Sequence, residues 1–309
     1  MSLIVQNLSK SFNGHVAVKD LSFEFNEPGV FAFLGTNGAG KSTSIRMILN
    51  MLKKDSGTVL WNGRELKVLE ENIGYLSEER GLYPKYNVLE QMYFFASIKG
   101  MKKADATKAI DYLFDRLKIN EYRKKKAEQL SKGNQQKVQL AAALINSPDL
   151  IILDEPLSGL DPVNADLFKD IIREERDKGK FIIMSSHQMQ TIEEFCEDLV
   201  LLHRGDVVLQ GNLNKIKKDY GRVNLSVKVE SDFMDIAEEC GLTVVEETPN
   251  GTDFKVQNEA QAQDFLRKMI EKGRNVVKFD LREPSLHELF VEKCGGDAVE
   301  ESAGVSNEN

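Results

Sequence analysis

The stretch "GTNGAGKST", residues 35–43, constrains this chain more than any other. It fits G-x-x-x-x-G-K-[ST], and it lies between an apolar run, "GVFAFLG", and an amphipathic pattern, "KSTSIRMILNML". A strand, a glycine turn and a helix in that order let backbone N–H groups curl round an anion, while the helix dipole adds favourable potential. Gly35, Thr36, Asn37, Gly38, Ala39, Gly40, Lys41, Ser42 and Thr43 are therefore predicted to cradle nucleotide phosphates. Lys41 is expected to reach the β- and γ-phosphates, and Ser42 to ligate Mg²⁺.

The rest of the chain supplies the sheet such a loop needs. Short apolar runs alternate with helical patterns to about residue 220, and "LIVQNLSKSF" and "LSFEF" predict an antiparallel outer layer. Residues 88–146 lose strand character and carry three helical patterns, a helical insertion in a parallel α/β sheet. From 221 to 295 the order becomes β-α-β-β-α-β and a last helix, which predicts a small α+β ferredoxin-like module. The polar, acidic end, residues 296–309, is predicted to be disordered.

A second motif, "LIILDEP", ends an apolar strand in two carboxylates, where open α/β sheets bind ligands. Asp154 is suited to hold Mg²⁺, and Glu155 to polarise an attacking water. His187 follows "FIIMSS" at a third strand end, which predicts a role at the γ-phosphate; His15, His203 and His287 lack such a context. The formal charge of −8 argues against nucleic acid as a main partner. Three widely spaced cysteines, Cys196, Cys240 and Cys294, form no metal or disulfide pattern and suit a reducing cytosol. No secretory leader is expected at "MSLIVQNLSKSF", and the apolar runs fall short of the ~20 residues of a membrane-spanning helix.

Taken together, "GTNGAGKST", "LSKGNQQKV", "LIILDEPLSGLDP" and "SSH" resemble the nucleotide-binding subunit of ATP-binding cassette (ABC) transporters, over residues 1 to about 220. The overall pattern is similar to stand-alone ATPase subunits of bacterial exporters for sodium, drugs or antibiotics. The resemblance implies ATP and Mg²⁺ as ligands, Phe12 as the ring that stacks on adenine, and Glu155 with His187 as catalytic residues. It also implies that two cassettes bind head to tail. Ser131, Gly133 and Asn134 at the signature helix, and Asp161 in "SGLD", would then face a partner's ATP. Two departures stand out: Lys132 and Asn134 replace a Gly and the Gln of the usual Leu-Ser-Gly-Gly-Gln. In "GYLSEERGLYP", Glu78 occupies the place of a Gln that senses Mg²⁺ and the membrane subunit; a carboxylate there can still ligate Mg²⁺, but its charge would repel phosphate.

The same resemblance implies a cytosolic ATP hydrolase, peripheral on the inner face of the cell membrane, that drives a separate integral permease as a cassette dimer, a homodimer before a heterodimer. A soluble ABC ATPase with a regulatory role is the alternative, although such proteins usually carry two cassettes in one chain. A third reading makes the C-terminal module a ligand-binding regulator. The aromatics of "QMYFFASIKG" fit either the core of the insertion or an edge that receives a coupling helix.

Overall fold

The computed structural model describes residues 1–79 and 81–295; the tail expected to be disordered lies outside them. The chain opens with a hairpin of β1 (Leu3–Phe12) and β2 (His15–Phe25), closed so that Phe12 pairs with His15. β3 (Gly29–Leu34) has every residue buried, as a strand covered on both faces requires. It leads into α1 (Lys41–Ile48), then β4 (Ser56–Trp61), the two-residue β5 (Arg64–Glu65) and β6 (Ile73–Leu76). Three helices come next, α2 (Val88–Ile98), α3 (Lys103–Arg116) and α4 (Lys132–Leu144), within the span expected for the insertion. α2 starts where Asn87 and Glu90 form a reciprocal capping box.

Strand–helix alternation then resumes with β7 (Leu150–Leu153), α5 (Pro162–Asp177), β8 (Phe181–Ser186), the short α6 (Met189–Glu193), β9 (Asp198–His203) and β10 (Asp206–Asn212). The strands form two sheets. One is antiparallel, in the order β2-β1-β4-β5; the other runs β10-β9-β3-β8-β7-β6 and is parallel from β9 to β6. One core joins them: Phe23 stacks on Phe31 at 4.5 Å between ring centres, and Trp61 meets Phe181 edge-on at 5.4 Å. Aromatic pairs of this kind bury large apolar area and add about 0.5–1.5 kcal/mol each through ring geometry.

The sequence pattern predicts no strand at β6. It is four residues long and includes Gly74, so it carries too little pattern to read, but it docks on β7 from Ile73 to Leu76.

A second compact unit begins at Gly211, earlier than the expected residue 221. It holds α7 (Leu213–Tyr220), whose Tyr220 ring lies 5.5 Å from the Lys293 ammonium of the last helix, a contact that ties α7 to this unit. Then come β11 (Asn224–Val229), α8 (Met234–Glu239), β12 (Thr243–Thr248), β13 (Gly251–Lys255), α9 (Glu259–Glu271), β14 (Val276–Arg282) and α10 (Leu286–Cys294). The sheet order β12-β13-β11-β14, antiparallel throughout, is that of a ferredoxin-like module. Its helices cover one face of the sheet, where Phe254 of β13 meets Phe233 at the start of α8 and Phe265 of α9.

Candidate nucleotide-binding site

Three strand ends meet at one edge of the parallel sheet. β3 runs into the glycine loop, β7 into Asp154 and Glu155, and β8 into His187. These strands are parallel and adjacent in the order β3-β8-β7, so their C-terminal ends open on the same side.

The loop depends on its glycines. Gly35 and Gly40 sit at φ +147° and +107°; a Cβ on the first would lie 2.3 Å from the Leu202 carbonyl oxygen, and on the second 2.5 Å from that of Ala17. Gly40 then starts α1 with no side-chain cap, which leaves the helix N-terminus to an anion. Gly40→Ala is expected to cost more than about 1 kcal/mol, because both the backbone conformation and the close approach are lost. A thermal midpoint equal to wild type would refute this.

Lys41, only 5% exposed, donates to the carbonyls of Gly35 at 2.8 Å and Thr36 at 3.1 Å, and its ammonium lies 3.2 Å from Glu155 Oε1. The loop thus holds its lysine across the place where phosphates would sit. Asp154 is fully buried; its Oδ1 accepts from the hydroxyls of Ser42 at 3.1 Å and Ser185 at 2.6 Å, and its Oδ2 has no hydrogen-bond partner. Glu155, 6% exposed, takes the left-handed conformation (φ 50°), and its N–H donates to Ser185 Oγ at 2.8 Å. That bend at the strand end sends the two neighbouring carboxylates in different directions, one to Ser42 and the other to Lys41 and His187.

Burial pushes the Asp154 carboxyl up, against the hydrogen bonds from Ser185 and Ser42. Burial pushes Glu155 up as well, but the His187 hydrogen bond and the Lys41 charge outweigh it, and the net direction is down. The Glu155 hydrogen bond, 2.9 Å from His187 Nδ1, raises the imidazole against its own burial. The pair therefore stabilises the fold most between the lowered Glu155 value and the raised His187 value. Its contribution is lost as pH falls through the first or rises through the second. An NMR titration is expected to show His187 above the ordinary histidine midpoint, and to show that elevation gone in Glu155→Gln. An ordinary midpoint in the wild-type chain would mean the two are not paired.

A cavity of about 320 Å³ opens on this edge, lined by Asn37 to Thr43, Glu155, Glu78, Phe12, His15 and Ala17. Phe12 is 44% exposed, and Lys10, anchored on Asp55 at 2.7 Å, places its ammonium 5.3 Å from the ring centre. Gly35 and Thr36 do not line the cavity; their carbonyls serve Lys41. His187 touches Glu155, so it acts on the cavity through that carboxylate.

The signature segment is built elsewhere. Ser131 caps α4, its Oγ accepting from Asn134 N–H at 3.4 Å, and the Asn134 amide donates to Tyr122 at 3.0 Å. A Cβ on Gly133 would lie 3.5 Å from Leu160, which places this helix start beside the loop ending at Asp161. Asp161 caps α5 by accepting from Asn164 N–H at 3.1 Å. None of Ser131, Gly133, Asn134 and Asp161 lines the cavity on the glycine loop. The four form a separate polar group.

Two residues of the site carry no strong signal in the sequence. Ser185 bonds both Asp154 and Glu155, and its signal was a hydroxyl at the end of the apolar run "FIIMSS". His15 lines the cavity because the hairpin pairs it with Phe12, a partnership that no local pattern announces.

The ABC transporter family matches residues 18–158, and the family of C-terminal domains of DrrA1-3-like ATP-binding proteins matches residues 211–294. The ABC transporter ATP-binding protein YhaQ of Bacillus subtilis is 41% identical, over 95% of this chain and 98% of its own length. The linearmycin resistance ATP-binding protein LnrL of the same organism is 26% identical over 95% of this chain and 98% of its own. Among solved structures, an ATP-binding subunit of an ABC transporter superposes with a TM-score of 0.66 at 28% identity, covering 71% of this chain and 93% of that one. With a phosphate cradle facing two strand-end carboxylates, and with relatives alike along nearly its whole length, the chain belongs to the ATP-binding proteins of ABC transporters and is an ATP hydrolase.

Proposed function

We propose that this chain is the ATPase subunit of an exporter, lies on the inner face of the cell membrane and drives a separate integral permease as a head-to-tail homodimer. The observation that carries this reading is the separation of the Ser131 helix start from the cavity on Lys41. In this reading such a helix start, lying away from the cavity of its own chain, serves a second copy's nucleotide. Among the described residues no helix is long and apolar enough to cross a membrane, and in this reading the permease is a separate chain. Export is favoured by the likeness to LnrL, a resistance protein, since resistance carried by transport moves a compound outward.

In this reading Phe12 stacks on adenine, and the residues from Asn37 to Thr43 hold the phosphates. The donor set fits Mg²⁺: the Ser42 hydroxyl and the buried Asp154 offer oxygen, and Asp154 Oδ2 is orphaned. Among the described residues no group of three acidic, His or Cys side chains could hold a metal ion by itself. Mg²⁺ supplies charge neutralisation on the β- and γ-phosphates. Lys41 turns to the phosphates when they enter, which frees Glu155 to accept a proton from water, while His187 holds that carboxylate in place. Residues 1–210 form the ATPase domain, and the unit from Gly211 is an accessory domain that adjusts coupling.

A docking edge for the permease fits the aromatics of α2. Met92 is fully buried, while Phe94 and the nearby Tyr83 and Tyr86 are exposed around a cavity of about 670 Å³. Affinity capture of the chain from native membranes tests the reading. Recovery of an integral membrane protein in stoichiometric amount is expected; recovery from the soluble fraction alone would favour the regulatory ATPase instead.

A further inference from the structure

Glu78 stands at the lip of the nucleotide cavity with its side chain exposed, and it lines that cavity together with Lys41, Ser42 and Glu155. No lysine or arginine pairs with it among the described residues, although His187 lies near enough to feel its charge. Lys41 is the single lysine among the lining residues, and its ammonium is already 3.2 Å from Glu155 Oε1. The second Glu155 oxygen is taken by His187 at 2.9 Å, and Asp154 is buried beneath Ser42. The cavity therefore meets an incoming triphosphate with more carboxylate than ammonium. Glu78 is the one of these carboxylates that has neither a lysine nor a serine to hold it.

We propose that Glu78 makes nucleotide capture conditional on a divalent cation, so that the site admits the metal–nucleotide complex and rejects the metal-free triphosphate. This rests on the assignment of the cavity to Mg-ATP. A bare triphosphate presents up to about four negative charges, and Coulomb repulsion from a carboxylate at the lip adds to each encounter. A divalent ion bound to the nucleotide would cancel about two of those charges, so the same carboxylate would oppose the complex far less, and its oxygens could also serve the metal. A neutral amide at residue 78 would lose both effects. Glu78 therefore sets a selectivity that the glycine loop, which attracts any phosphate, cannot set by itself.

The test is ATP affinity of the full chain, measured calorimetrically at low ionic strength in excess Mg²⁺ and in excess EDTA, for wild type, Glu78→Gln and Glu78→Asp. Exposure of Glu78 means that neither substitution disturbs a packed core. Glu78→Gln is expected to bind metal-free ATP about tenfold more tightly than wild type, and to bind Mg-ATP within about threefold of it. Glu78→Asp keeps the charge and should keep the wild-type ratio of the two affinities. Added salt should shrink the difference, since it is electrostatic at an exposed group. An unchanged ratio in Glu78→Gln overturns the inference, and so does an equal change in Glu78→Asp. Failure of wild type to bind ATP in Mg²⁺ would instead overturn the assignment of the cavity, and the inference with it.

Discussion

Glu155→Gln is expected to leave ATP affinity within about threefold and to cut turnover by at least about 10²-fold, the range that loss of a positioned general base produces. The carboxylate is nearly buried, its pKa is lowered by His187 and Lys41, and it is therefore an acceptor at neutral pH. Glutamine keeps the volume but cannot take a proton. Lys41 retains its bonds to the Gly35 and Thr36 carbonyls, so the loop that binds phosphate should survive. A buried ion pair broken on one side can destabilise, so the variant's melting temperature must be followed alongside. Wild-type turnover in a folded variant would remove Glu155 from the chemistry and leave it a structural partner of Lys41 and His187.

Ser131→Arg, placed in the Glu155→Gln background where bound ATP is not consumed, is expected to abolish ATP-driven dimerisation while sparing ATP affinity at low protein concentration. Ser131 lies outside the cavity of its own chain, so the nucleotide held by Phe12, Lys41 and Ser42 should not sense the change. A bulky side chain at the N-cap blocks close approach of a second copy's phosphate to the helix start. Loss of the cap itself costs about 1 kcal/mol of local helix stability, too little to unfold the chain. Sedimentation of the parent and the double variant, with and without ATP, decides the matter, provided the parent first shows a dimer. An equal dimer in both would mean that Ser131 caps α4 and does nothing in trans.

The glycine loop and the strand-end carboxylates were legible because each is a short motif whose residue types have few other uses together. The ferredoxin-like order of the second unit was legible from alternation alone, and its sheet order is the one expected when crossovers stay right-handed. β6 was not legible, since four residues with a glycine carry no period. Nor was the start of the second unit at Gly211, because α7 reads like any amphipathic helix and only its contact with Lys293 assigns it. The aromatics of α2 remained ambiguous for a related reason. Periodicity marks a face but does not say whether neighbouring elements cover it, and Met92 and Phe94 ended on opposite sides of that question.

The sequence by itself determined where a phosphate cradle can form, because backbone N–H groups at a glycine turn and a helix start are local chemistry, fixed within nine residues of chain. It also determined that β3, β7 and β8 are buried and parallel, since continuous apolar runs alternating with helices have few other solutions. Only the tertiary structure decided what those residues meet. Ser42 reaches Asp154 across 112 positions, Glu155 reaches His187 across 32, and Phe12 shares a cavity with Glu78. These meetings depend on the sheet order β3-β8-β7 and on a left-handed turn at Glu155. Neither has a local signal, because strand order is set by the packing of whole layers and a turn of that hand at a glutamate persists only where its surroundings compel it.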